Sequence, residues 1–345
     1  NLHMGHALNG TIQDILIRTK RMQGYSTLWL PGTDHASIST EAKIVGKLRD
    51  EGKEKEDLGR EKFLEEAWAW TEEYGGNIKN QFKKLGASCD WSRERFTLDE
   101  TLSRAVGQVF VELYKKDLIY RGSRIINWCP NCKTSISDAE VDHIDHDGEI
   151  WYFLYPFENG EGGIEIATTR PETIPGDLAI AVNPKDERYK DIVGKNVKIP
   201  VMGDKLIPII ADEYVDMEFG SGAVKITPSH DPNDFEVGVR HNLGQLKIMA
   251  DDGHLNENAG AYKGMERNEA RKKIIEDFKA KGYYVGKKKH HNAVGHCSRC
   301  NTVIEPLISK QWFVKMESLA KPALEAYRSG AVSYTHLTLP TTPYV

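Results

Sequence analysis

The sequence predicts an α/β protein with a smaller β-rich domain inserted into it. Three observations carry this. Helical and strand-like patterns alternate over residues 1–130, which argues for a parallel sheet flanked by helices. From Glu149 to Pro228 the chain becomes short β-rich runs with turn residues between them, the pattern of a closed barrel or a sandwich. Residues 296–320 return to the character of the first part. At 345 residues the chain has room for about two domains. The expected boundaries are 1–140 for the first half of the α/β domain, 141–292 for the insertion, 293–331 for the return, and 332–345 for a tail unlike the rest.

Each element has its own signal. Leu8, Ile12, Ile15 and Leu16 recur at helical spacing, and Gly24 suits the stop. Tyr25 to Leu30 reads as a short strand ended by Pro31-Gly32. Phe63, Ala67, Trp70, Tyr74, Ile78, Phe82 and Leu85 form a second helical stripe, with a weak point or kink expected at Gly75-Gly76. Ala105, Val106, Val109, Phe110 and Leu113 form a third. In the insertion the strands are Trp151–Phe157, Ile164–Thr168, Leu178–Val182, Val197–Val201, Leu206–Ala211 and Ala223–Thr227. Two helices follow, from Asn233 and from Glu266 to Lys281. Val332–Val345 is rich in Thr and Pro and carries no charge. It resembles a translated sequencing adapter, and we expect a non-native tail; a frayed terminus is the plainer alternative.

Composition narrows the function. Lys+Arg is 46 against Asp+Glu 51, a net charge of −5. That excludes a grossly basic coat for nucleic acid but leaves room for a local basic surface. Lys287-Lys288-Lys289-His290-His291 is such a run: it suits phosphate contacts to an RNA backbone, or a solvated hinge. With 39% hydrophobic and 28% charged residues, the chain is expected to fold. No apolar run approaches a membrane span, and no signal-peptide pattern opens the chain. A cytoplasmic, monomeric protein with reduced thiols is therefore expected.

Five cysteines then call for a metal or catalytic reading. Cys129-Pro-Asn-Cys132 and Cys297-Ser-Arg-Cys300 are two C-x-x-C pairs. Each pair can bring two thiolates to one ion, and two pairs complete a tetrahedral structural zinc site. The long gap fits if the metal ties together the two stems of the insertion. A redox pair or plain buried thiols are the alternatives. Cys89 has no partner in this pattern.

Other segments carry polar chemistry. His3-Met4-Gly5-His6 opens the first helix, with both imidazoles on one side of a turn and Gly5 leaving room for a flat group. A helix start attracts phosphate, and imidazoles there can stabilise charge on it. Alone, the segment reads equally as two solvated histidines. Gly32-Thr33-Asp34-His35 follows the first strand, where open α/β sheets bind ligands. Asp34 suits an ammonium group and His35 a ribose or phosphate; a turn with a helix cap is the alternative. Thr168-Thr169-Arg170-Pro171-Glu172-Thr173 follows one β run. Lys225-Ile-Thr-Pro-Ser-His-Asp231-Pro-Asn-Asp234 follows another and leads into a helix. Taken alone, Asp231 and Asp234 read as helix caps.

These segments together resemble the class I aminoacyl-tRNA synthetases. His3-Met4-Gly5-His6 is similar to the family's HIGH signature. Trp29-Leu-Pro-Gly-Thr-Asp-His-Ala36, Cys89-Asp-Trp-Ser-Arg-Glu-Arg-Phe-Thr97 and Trp128-Cys-Pro resemble its valine-handling branch. Ser37, Ser39 and Glu41 stand where that branch commonly has Gly, Ala and Gln. The resemblance implies a Rossmann-like catalytic domain, here incomplete, with an inserted β-barrel-rich editing domain. It implies ATP, with Mg2+, and valine as substrates and tRNA(Val) as partner. His3 and His6 would be catalytic. His3, Gly5, His6, Gly32 and His35 would bind ATP, and Asp34 the amino acid. Arg170, Thr173, Lys225, Thr227, Asp231 and Asp234 would form an editing pocket that hydrolyses mischarged threonyl-tRNA. The family's first strand and its KMSKS lysine loop are not in the sequence, so a fragment without the full activation site is expected. The isoleucine and leucine branches are the nearest alternatives; a non-catalytic zinc-containing RNA-binding module is the alternative of a different class.

Overall fold

Side-chain caps start the first and the fourth helix of the N-terminal stretch. His3 Nδ1 accepts the Gly5 N–H at 3.1 Å and opens helix α1 (Met4–Met22). Lys20 and Arg21 sit in its last turn, where the helix end is negative. Gly24 closes it at φ +84°, a conformation suited to glycine. The strand expected over Tyr25–Leu30 is not formed. Only β1 (Gly32–Thr33) ladders, in parallel, with β2 (Arg95–Phe96). A strand needs a neighbour for its polar groups, and the partner segment first reaches this one at Trp29, whose carbonyl accepts the Asp90 N–H.

Helices α2 (Ser37–Asp50) and α3 (Lys55–Lys84) pack Ile44 and Leu48 against Phe63. The kink expected at Gly75-Gly76 is absent. The non-helical residue is Gly59, at φ 69°, in the first turns of α3. Gly75 and Gly76 lie inside the Trp70–Phe82 stripe, and Trp70 stacks on Tyr74 at 4.1 Å just before them. Asp99 caps α4 (Glu100–Lys115) through the Leu102 N–H at 2.8 Å. The stripes of α1 and α4 exist but stay exposed: Leu8, Ile12, Ile15 and Leu16 keep 50–62% of their surface. Periodicity marks a face fit for burial; it does not supply the partner.

The structure is a computed structural model that describes residues 2–203 and 205–331; the tail expected at 332–345 lies outside the described residues. Its described residues divide into two compact units, 2–120 with 314–331, and 121–313. Among the described residues no helix is long and apolar enough to cross a membrane.

The second unit runs through β3 (Ile119–Cys129), β4 (Thr134–Ile136), β5 (Val141–Pro156), β6 (Gly163–Thr168), β7 (Ala179–Val182), β8 (Asn196–Ile199), β9 (Lys205–Ala211) and β10 (Ala223–Ile226). Then come α5 (Pro232–Arg240), α6 (Arg267–Ala280), β11 (Tyr284–Cys297) and β12 (Glu305–Val314). Helix α7 (Glu317–Arg328) belongs to the first unit. Five of the six short strands expected in the insertion form within two residues of their expected bounds, and the first, expected at Trp151–Phe157, starts earlier, at Val141. The barrel does not close. The strands make separate sheets in the orders β10-β7-β9-β8, β11-β5-β6 and β12-β3-β4. β6 and β10 lie near each other without a ladder. After Thr168 the chain leaves β6 for a 3-10 turn, Pro171–Gly176, in which prolines cannot donate to a sheet.

Beyond expectation, β5 and β11 extend as a long antiparallel ribbon, from Lys287↔Trp151 to Cys297↔Val141. The half of it nearer Cys297 reads Val141-Asp-His-Ile-Asp-His-Asp-Gly148. Both faces are largely exposed, so no hydrophobic alternation marked it as strand.

The core of this unit lies between the β5–β6 sheet and α6. Ala270, Ile274 and Phe278 recur every four residues along α6 and are fully buried. Phe278 meets Phe153 at 4.4 Å between ring centroids. Phe153→Ala should destabilise this unit by about 3–5 kcal/mol. Denaturant unfolding of the chain checks it; a loss below about 1 kcal/mol would contradict this packing.

Candidate functional site

Residues 121–313 contain a cleft of about 250 Å3 between the end of β6, the end of β10 and the start of α5. All six residues expected for an editing pocket line it: Arg170, Thr173, Lys225, Thr227, Asp231 and Asp234. Each is delivered by local structure. Thr168 Oγ1 accepts the Arg170 N–H at 3.0 Å, and the 3-10 turn that follows sets Thr173. β10 carries Lys225 and ends beside Thr227. Asp231 caps α5 by accepting the Asn233 and Asp234 N–H groups at 2.8 and 3.1 Å. Asp234 Oδ2 accepts the Thr227 N–H at 2.8 Å and so ties α5 to β10.

Beneath the cleft lies a buried ion pair. Lys225 Nζ donates to Thr173 Oγ1 at 2.7 Å, Thr227 Oγ1 at 2.6 Å and Asp177 Oδ1 at 3.2 Å. Asp177 also accepts Thr227 Oγ1–H at 2.7 Å and Tyr155 O–H at 2.8 Å, and it has no exposed surface. Burial pushes its carboxyl up, and Lys225 and Thr227 pull it back. Sequence reading missed Asp177. Its signal was a lone acid in the otherwise apolar run Gly176-Asp-Leu-Ala-Ile-Ala-Val182.

Arg170 forms the wall. Its Nη1 donates to the His230 carbonyl at 2.8 Å, and it pairs with Glu172 and with Glu305. Glu172 is held again by Arg271 at 2.7 and 2.9 Å, and Glu305 by Arg267 at 2.5 Å. This alternating chain of charges fixes the 228–231 turn from behind. His230, also missed, accepts the Ile248 N–H on Nε2 at 2.9 Å. Burial holds it well below the usual histidine range, so it is neutral, with its proton on Nδ1.

Asp234 is the site's perturbed acid. Burial, then the neighbouring Asp231 charge, pushes it up to about 7. A carboxylate so placed gains from an incoming cation.

The four cysteines converge below the ribbon. All four Sγ atoms lie within 4.8 Å of one another. Cys300 is 3.5 Å from both Cys129 and Cys132. A tetrahedral thiolate site with bonds of about 2.3 Å has sulfur separations of roughly 3.8 Å, so the donor set fits such an ion. The two knuckles share one geometry: Lys133 and Asn301 take positive φ and donate back to the Cys129 and Cys297 carbonyls, each at 2.8 Å.

In the first unit, the His3 and His6 rings meet at a 50° tilt with centroids 3.9 Å apart. A Cβ on Gly5 would come within 2.9 Å of the His3 ring, so glycine permits that contact. His3 Nδ1 accepts the Gly5 N–H and His6 Nδ1 accepts the His3 N–H, which leaves Nε2 of each ring for a ligand. Asp34 and His35 converge on Thr97, at 3.3 Å from Asp34 Oδ1 and 2.5 Å from His35 Nδ1. The Ala36 N–H holds the Asp34 carboxyl below its usual range. Thr97 was quoted in a motif but not foreseen as a partner. A second cavity, also about 250 Å3, is lined by Asn9, Gly10, Trp29 and Gly32 among others. Of the residues expected at the ATP and amino-acid site, only Gly32 is on its wall.

A family model described as tRNA synthetases class I (I, L, M and V) matches residues 1–338. A valine--tRNA ligase of Carboxydothermus hydrogenoformans is 61% identical over 333 residues, covering 96% of this chain and 38% of the relative. One from Clostridium tetani is 56% identical with the same coverage. One from Halalkalibacterium halodurans is 58% identical over 324 residues, covering 94% of this chain and 37% of the relative. The chain thus spans little more than a third of the length of these curated relatives.

Two outcomes follow. Asp234 has a folded-state pKa of about 7 against an ordinary 3.8. The folded state therefore holds the extra proton between those values, and stability falls as pH rises through that window. Asp234→Asn should be more stable than the parent at pH 8, by about 1–3 kcal/mol, and converge with it near pH 4. Thermal unfolding at both pH values measures this; equal stability at pH 8 would contradict it. For the sulfur cluster, elemental analysis should find about one thiolate-bound metal equivalent, and Cys129→Ser/Cys297→Ser should remove it. Full retention in the double variant would refute the site.

Proposed function

The chain belongs to the class I tRNA synthetase family, and on that premise we propose that it is part of a valine-specific member. In this reading the whole protein converts valine and Mg2+-bound ATP to valyl-adenylate and pyrophosphate, then passes the valyl group to tRNA(Val) and releases AMP. The valine carboxylate is already ionised, so activation needs no general base; it needs positioning and charge stabilisation at the α-phosphate. The Nε2 atoms of His3 and His6 would meet the phosphates beside Gly5. Gly32 and His35 would contact the nucleotide, and Asp34 would take the valine ammonium. The likeness to valine--tRNA ligases supports the choice of amino acid.

Residues 141–292 would be an inserted editing domain, and its cleft would hydrolyse threonyl-tRNA made in error. A hydrophobic pocket rejects a near-isosteric hydroxyl analogue only about 100-fold, a figure that comes from the valine-handling synthetases themselves. A second site that requires the hydroxyl supplies the rest. The observation that carries this reading is the cleft's chemistry. Asp234, buried and pushed up by Asp231, lines the same cleft as Thr173 and Thr227. An α-ammonium beside a β-hydroxyl satisfies both. The cysteine cluster would bind structural zinc and tie β3–β4 to the base of the ribbon. Zinc supplies cross-linking there and no catalytic step.

The test is deacylation of threonyl-tRNA and valyl-tRNA, side by side, by this chain. Threonyl-tRNA should be hydrolysed and valyl-tRNA spared. Asp234→Ala should lower turnover about 100-fold or more, and Lys225→Ala about tenfold, through lost positioning. Equal rates on both esters, or parental activity in Asp234→Ala, would mean the cleft is something else.

A further inference from the structure

We propose that Asp177, buried beneath the cleft, is the residue that sets its selectivity. The inference rests on the editing reading above and deepens it. It follows from counting protons. An ammonium has three N–H groups and no lone pair. Lys225 directs all three inward, to Thr173 Oγ1, Thr227 Oγ1 and Asp177 Oδ1. It keeps none for a ligand.

The two threonines are equally constrained. Thr173 Oγ1 donates its one hydrogen to the Arg170 carbonyl at 2.9 Å, and a carbonyl only accepts. Thr227 Oγ1 donates its hydrogen to Asp177 Oδ1 at 2.7 Å. That oxygen also faces the Lys225 ammonium, so it carries no proton of its own. Each hydroxyl accepts from Lys225 and retains one lone pair. Asp234 adds a further acceptor, with its Oδ2 already taking the Thr227 N–H.

The floor of the cleft is therefore an acceptor surface. It welcomes a ligand that brings donors, an ammonium and a hydroxyl, and penalises one that places a methyl there, because lone pairs are then buried without partners. Asp177 makes this so. Without it, the Thr227 hydrogen is free to turn toward the cleft. The floor then presents a mixed surface that discriminates less. Tyr155 O–H, at 2.8 Å from Asp177 Oδ2, holds the carboxylate in that orientation. Asp177 does not line the cleft, so its role is positioning rather than contact.

The readout is the ratio of threonyl-tRNA to valyl-tRNA hydrolysis, which a general loss of stability would leave unmoved because both rates would fall together. Asp177→Asn keeps an oxygen for Lys225 and Thr227 and should hold the ratio within about threefold of the parent. Asp177→Ala should lower it about tenfold or more. If Asp177→Ala fails to fold, Thr227→Val removes the same acceptor without touching Asp177, and should lower the ratio similarly. A parental ratio in folded Asp177→Ala, or in Thr227→Val, overturns the proposal. If the parent chain itself hydrolyses both esters equally, the editing reading falls and this inference with it. A parent that prefers threonine while Asp177→Ala does so equally refutes the inference alone.

Discussion

A lysine and an aspartate without water are the constraint around which the second unit is arranged. Lys225 is 7% exposed and Asp177 fully buried. Removing either charge from water costs several kcal/mol, recovered only if every remaining donor and acceptor is met. Thr173, Thr227 and Tyr155 meet them. That requirement fixes three backbone segments relative to one another: the 3-10 turn after β6, the end of β10, and β5. The cleft is the space left above the pair. A second alternating set, Arg267–Glu305–Arg170–Glu172–Arg271, fixes the wall in the same way.

Against this rigid background, Asp234 is the acid whose charged form burial and Asp231 disfavour. It accepts one backbone N–H and lies near another carboxylate. Its raised pKa is a local instability kept within a stable frame. Such tension between stability and charge is common where a site waits for a ligand. The sulfur cluster works at the other end of the unit. It joins the knuckle after β3 to the knuckle after β11, two segments far apart in sequence, at the base of a ribbon with little apolar packing of its own.

Much of this was legible in the residues, for physical reasons that differ by element. The short strands of the second unit alternate or run apolar, so burial wrote them into the sequence. The C-x-x-C pairs were legible because metal chemistry demands that spacing. The β5–β11 ribbon was not, because strands exposed on both faces have no periodicity to read. Tyr25–Leu30 failed in the opposite sense: apolar residues predicted a strand, but a strand exists only with a partner. The gap between Gly75-Gly76 and Gly59 shows that glycine permits a break and packing decides where it falls. Asp177 escaped notice because a single buried acid leaves no pattern; its meaning lies in three partners from distant segments.

The central claim is that an acceptor surface beside Asp234 receives an ammonium and a hydroxyl together. The most direct measurement is a crystal structure of the chain with a non-hydrolysable amide of threonine on the 3′ position of adenosine. The account predicts the ammonium within hydrogen-bond distance of Asp234 and the threonine hydroxyl donating to Thr227 or Thr173. An analogue bound outside the cleft, or with its hydroxyl turned to solvent, would contradict it.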